Sequence, residues 1–265
     1  MSIRSWLPIR PRRWRRPFVL AAGGTLVSIL VFAGLYVFLL VRGSPAPFSL
    51  SPTPAPGPAA PGSGRVGATV STPAGTASGA AALAGRWTVA AGEAGYRIRE
   101  KLARLPAPSD AVGRTSDVTG QLTLADAAGG GLVAHHARFK VDLTTLRSDE
   151  SSRDEKVFPL FLEPGNQGTP QFPAATLAVP SVSVPAAARS GTPVTLPVSG
   201  SLTIRGVTRD ATFRLQARLT GTRIELTGST TFPLTRYGIA TPDFGDFVKL
   251  DPNLTVEFHV FLEHR

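Results

Sequence analysis

The chain has 265 residues, with 28 basic and 18 acidic side chains, a formal charge of +10 and no cysteine. The missing thiol excludes a disulfide, a thiolate nucleophile, a cysteine zinc site and a lipidated cysteine. All acidic residues lie at or after Glu93, and from residue 81 onward 20 basic residues face 18 acidic ones, a charge of +2, so no basic nucleic-acid face is expected on the folded part.

Residues 1–17 form an arginine-rich tail (Arg4, Arg10, Arg12, Arg13, Arg15 and Arg16), and Phe18 to Val41 then runs without a charge. As a helix at about 1.5 Å per residue this run would cross a hydrocarbon core of about 30 Å with some tilt. It is longer than the apolar core of a cleaved signal peptide, and Tyr36-Val-Phe-Leu-Leu-Val41 is bulky where a cleavage site wants small residues. The expectation is a retained transmembrane helix over 18–41. Six arginines before it, against Arg42 alone just after, place the N-terminus in the cytoplasm and the rest outside the cell membrane. Trp6 and Trp14 suit the headgroup level. Residues 42–85 turn to Pro, Ala, Gly, Ser and Thr with almost no charge, a composition that reads as a disordered linker. Its Gly62-Ser-Gly64-Arg-Val-Gly67 matches a dinucleotide fingerprint by letters, but no strand precedes it and no helix follows.

From residue 86 to 265 the pattern is of strands. Trp87 and Val89 begin the set, and Tyr96, Ile98 and Leu102 share a face on the next. Leu122 and Leu124 follow, then Val133, His135, Ala137, Phe139, Val141 and Leu143 on one phase. Ser148 offers a helix N-cap, with Asp149 and Glu150 where the helix dipole favours negative charge. Asp149, Glu150, Asp154 and Glu155 alternate with Arg153 and Lys156 and read as a solvated helix face. Phe158-Pro-Leu-Phe-Leu-Glu-Pro164 would pack under that helix or cover the barrel mouth. Ala175, Leu177 and Val179 come next, then Val198, Leu202 and Ile204, with a turn at Gly206. Ala211 to Leu219, Ile224 to Phe232 and Leu254 to Leu262 alternate with charged partners (Arg214, Arg218, Arg223, Glu225, Glu257, Glu263), as a water-facing outer surface requires. Short strands with one polar face argue for a sandwich or a closed barrel of about eight antiparallel strands. The pattern leaves open whether such a barrel is filled by its own side chains or holds a ligand.

Phe139-Lys-Val-Asp-Leu-Thr-Thr-Leu-Arg-Ser-Asp-Glu-Ser-Ser-Arg-Asp-Glu-Lys-Val157 resembles a block of the YceI-like family. Gly95-Tyr-Arg-Ile-Arg-Glu-Lys101, Gln171-Phe-Pro-Ala-Ala-Thr176, Gly200-Ser-Leu-Thr-Ile-Arg-Gly-Val-Thr-Arg-Asp210 and Tyr237-Gly-Ile-Ala-Thr-Pro242 fit it in order, over Arg86 to Arg265. The resemblance implies an all-β, lipocalin-like antiparallel barrel with one short helix, whose better-understood members hold a polyisoprenoid chain in the lumen. It carries no catalytic signature. The inward candidates are Ile98, Glu100, Phe139, Val141, Leu143, Phe213, Leu215, Ile224, Phe232, Val256 and Phe258. They are almost all apolar and suit a hydrocarbon chain (polyprenyl, quinone tail or carotenoid). Glu100 shares the Tyr96–Ile98 phase, where a carboxylate can accept from a ligand head group, pair with an arginine or reach solvent at the strand end.

No other chemistry stands out. His135 and His136 are adjacent on a strand and point to opposite faces, His259 sits on the outer phase, and His264 is nearly terminal. There is no His-Glu-x-x-His or Gly-x-Ser-x-Gly pattern, and Asp243-Phe-Gly245 stands without the rest of a kinase. No catalytic residue, metal or cofactor is expected, nor any nucleic-acid partner. The expected function is a membrane-anchored lipid holder. A filled-barrel interaction module of the cell envelope is the alternative, and an anchored hydrolase comes third. No residue points to a particular protein partner.

Overall fold

The computed structural model describes residues 44–52, 83–103, 107–162, 171–241, 246 and 248–265. The tail at 1–17, the span at 18–41, the Gly62–Gly67 match, Glu163–Pro164 and Asp243–Gly245 lie outside the described residues. Among the described residues no helix is long and apolar enough to cross a membrane.

Ten antiparallel strands carry the fold: β1 (Gly85–Leu102), β2 (Ser109–Thr115), β3 (Val118–Asp126), β4 (Leu132–Asp142), β5 (Arg147–Ser148), β6 (Ala174–Val184), β7 (Val194–Ile204), β8 (Val207–Thr220), β9 (Arg223–Pro233) and β10 (Val248–His264). Eight of them, in the order β1, β3, β4, β6, β7, β8, β9, β10, close into a barrel when β10 pairs back onto β1. The other two extend one rim: β2 pairs with the second half of β1, and β5 with β2. Closure leaves no long edge to recruit another chain. The narrowest seam lies between β6 and β7, where only Thr176–Ala178 pair with Ser201–Thr203.

Three features depart from the alternation read in the sequence. Trp87 and Tyr96 lie on one strand, not two. The register against β10 slips between Val89 and Ala91, so the inward phase passes from Trp87 and Val89 to Ala94, Tyr96 and Ile98. On β4 the inward residues are Leu132 and Ala134, then Ala137 and Phe139. The bulge falls at His136, whose φ is 52°, and a β-bulge switches which face each later side chain takes. Val133 and His135 are therefore off the inward phase. The third departure is β2, which its composition did not announce.

The helix α1 (Ser151–Leu162) starts later than expected. Ser148 belongs to β5, and its backbone N–H donates to Asp154 Oδ1 at 3.0 Å. Asp154 is thereby buried and is not part of a solvated face. The helix continues through Pro159 to Leu162, whose side chain packs against the core and whose carbonyl accepts from Phe172 N–H. With β2, β5 and the short turn Leu234–Tyr237, α1 covers one end of the barrel. At the other end Arg189, in the turn Ala186–Ser190, donates to the Gly130 and Gly131 carbonyls. There Trp87 Nε1 donates to the Leu83 carbonyl at 2.9 Å and draws Leu83 into the core.

Residues 44–52, within the stretch read as linker, run along the outer face. Ser44 Oγ donates to the Asp110 carbonyl, and Arg97 and Arg114 donate to the Pro45 and Ala46 carbonyls. The Arg114 guanidinium lies 4.1 Å over the Phe48 ring, a cation–π contact. Ser51 donates through its N–H (2.6 Å) and its hydroxyl (2.7 Å) to Glu225 Oε1. This strap explains why Glu225 and Glu257, on the outer phase, are only 1% and 4% exposed. They face a covering segment, not water.

Candidate functional site

Alternation places two apolar cavities inside the barrel, one toward each end. The cavity at the helix end, about 110 Å³, is walled among others by Val118, Val141, Leu143, Ala175, Ile204, Leu254 and Val256. The second, about 100 Å³, lies at the opposite end against Leu83, Leu124, Leu132, Ala134, Val182, Val184, Leu219 and Ile224. The first is lined mostly by one cluster of buried side chains and the second mostly by another.

Phe139, Leu177, Phe213 and Phe258 line both cavities, so they form the partition between them. Phe258 is the central member: its ring stacks on Phe139 at 6.4 Å and 18°, and meets Phe213 at 6.0 Å and 51°. Two glycines make room for these rings. Phe258 is paired directly across from Gly228, where a Cβ would fall 2.5 Å from Phe258 Cζ. Phe139 is paired across from Gly120, where a Cβ would collide with the Phe139 ring. An aromatic laid over a cross-strand glycine is a known way to seat a ring on a sheet.

The sequence-derived lumen residues divide accordingly. Phe139, Val141, Leu143, Phe213, Val256 and Phe258 line the helix-end cavity, and Leu215 and Ile224 the opposite one. Ile98 and Phe232 are buried in the helix-end core and line neither; Phe232 packs on Tyr237 with ring centroids 4.7 Å apart. Glu100 is buried and lines neither cavity. Its Oε1 accepts from Arg153 Nη2 at 2.9 Å, and Ser109 Oγ lies 3.5 Å away. Of the three placements open to Glu100, the structure has the ion pair, with an arginine supplied by α1. Leu132, Ala134, Val182 and Val184 are hidden from a simple alternation because the phase switches at His136 and Pro180; a proline inside a strand is the available signal.

Electrostatics separate the lumen from its rim. Burial, with the nearby Asp154 carboxylate, raises the Tyr96 phenol. Burial works to lower the Arg153 guanidinium, but Glu100 and Asp149 outweigh it and raise it. On the outer face burial works to raise Glu225. The donors Ser51, His259 (2.8 Å) and Arg218 (2.5 Å) reverse this and hold its carboxyl at about 2. Asp142 is held low by the Thr144 hydroxyl and N–H. Among the described residues no group of three or more His, Asp or Glu side chains could hold a metal.

A closed antiparallel barrel of eight strands is either filled by its own side chains or holds one small ligand, and this one keeps two apolar cavities. The YceI-like domain family model matches residues 87–262, well over half of the chain, and the chain belongs to that family. Among solved structures it is similar to a polyisoprenoid binding domain from Saccharophagus degradans implicated in plant cell wall breakdown. That match has a TM-score of 0.47 and 18% identity over 68% of this chain and 98% of that one. It is also similar to Burkholderia cenocepacia BcnA, with a TM-score of 0.44 and 16% identity over 63% and 95% of the two chains. No curated protein matches it.

Proposed function

We propose that this protein holds an isoprenoid-type lipid chain (polyprenyl, quinone tail or carotenoid) in the barrel lumen without catalysing a reaction on it. In this reading Phe18–Val41 anchors it in the cell membrane, with the N-terminus in the cytoplasm and the barrel outside. The observation that carries the reading is the wall of the two cavities, aliphatic and aromatic along almost its whole length. Such a wall can bury methylenes but offers few partners to a sugar or a nucleotide. Burying a chain from water stabilises by about 0.8 kcal/mol per CH₂. A chain drawn from a bilayer is already dry, so exchange between membrane and lumen is nearly balanced. The protein is then a reversible holder.

Organic extraction and mass spectrometry of the full-length protein, purified in a lipid-free amphipol, test this. The reading expects an isoprenoid at near-stoichiometric amount, absent from Val256→Trp, in which an indole fills the helix-end cavity. Extracts in which wild type and V256W carry the same trace of bulk lipid would overturn it. One observation favours a second reading, a filled-barrel interaction module: the partition leaves each cavity near 100 Å³. That reading expects no bound lipid in either protein.

A further inference from the structure

We propose that Phe258 is a gate between the two chambers and so determines how long a chain the lumen accepts; this rests on the lipid-holding reading above. An engineered apolar cavity of about 150 Å³ in another protein holds one benzene. Chambers of about 110 and 100 Å³ therefore each take little more than one five-carbon isoprene unit as they stand. A chain of several units has to cross the partition. Of its rings, Phe258 is the one in contact with both others, so its displacement joins the chambers.

The contacts that hold Phe258 are dispersive. Its ring has no polar atom, and offset aromatic pairs are individually weak compared with the burial of several methylenes. The glycine across from it leaves the ring seated against the β9 wall without a side chain to lock it there. A long apolar chain therefore supplies enough burial to turn the ring aside. A short one fits a single chamber and leaves the ring in place.

Equilibrium binding to the full-length protein in amphipol, with prenol (a single five-carbon unit), geranylgeraniol and undecaprenol as probes, tests the gate. Phe258→Ala is expected to bind the two long probes about tenfold or more tightly than wild type and prenol within about threefold. Phe258→Leu is expected to fall between; it retains apolar bulk and decides the matter if F258A does not fold. The same dependence on chain length in wild type and both variants would overturn the gate while leaving the lumen reading intact. Failure of all three proteins to bind any probe would overturn the lumen reading, and the gate with it.

Discussion

Arg153 on α1 places Nη2 2.9 Å from Glu100 Oε1 on β1, so a helix outside the barrel neutralises the one carboxylate on the inward phase of that strand. The same guanidinium binds Asp149 through Nη1, which fixes it from both sides. Removing the cation leaves Glu100 buried and uncompensated. Arg153→Ala should therefore destabilise by about 3 kcal/mol, the lower end for a broken buried pair because Arg153 itself reaches solvent. Arg153→Lys should recover part of this, since a lysine keeps the charge but not the two-sided fork. Urea midpoints of the three proteins check it; an unchanged midpoint for R153A contradicts the pairing.

Gly228 should tolerate no side chain. A methyl at 228 overlaps the Phe258 ring, and overpacking of this kind costs about 1–3 kcal/mol. The strain should vanish when the ring is removed. Gly228→Ala in a Phe258→Ala background is expected to cost under about 0.5 kcal/mol, in line with the coupling between residues in contact. Thermal melts of the four proteins of the cycle give the answer, and additive effects would contradict it.

How much of this was legible in the sequence follows from where the period of two holds. It holds along β8 to β10, where Phe213, Leu215, Ile224, Val256 and Phe258 fall on the inward phase and line the cavities. It fails at Ala90 and His136, where the extra residue of a bulge reverses the phase and local sequence carries little sign of it. A charge on an outer phase is ordinarily solvated, which is what the pattern implies for Glu225 and Glu257. Only the tertiary placement of Ser44–Pro52 buries them, and a segment of Ser, Pro and Ala with just Phe48 and Leu50 as large apolar residues gives no periodicity from which docking could be read. Glu100's partner was equally hidden: Arg153 lies in a run of mixed charge, and only the fold decides which charge turns inward.

The strap should be sensitive to acid. Glu225 has its carboxyl at about 2 in the folded protein against an ordinary 4.5. A carboxyl depressed by folding adds stability above its unfolded value and loses it as pH falls through the folded one. The contribution to folding, which Ser51 of the strap shares with Arg218 and His259, is therefore full above about 4.5 and disappears between there and about 2. Glu225→Gln should loosen residues 44–52 at neutral pH, at about 2 kcal/mol, because hydrogen bonds to a charged acceptor are the stronger kind. Hydrogen exchange of the Ser51 amide reads this directly; unchanged protection in E225Q would contradict the assigned anchor.

Occupancy of the lumen by an isoprenoid chain underlies both the holding function and the gate. It is tested most directly by photo-crosslinking full-length protein in membranes with a diazirine-bearing polyprenol, followed by peptide mapping. Labels are expected on inward residues of three strands, such as Val141, Phe213 and Val256, competed away by unlabelled polyprenol. Labels confined to the outer face of the barrel or to Phe18–Val41, or labels that no competitor removes, would contradict it.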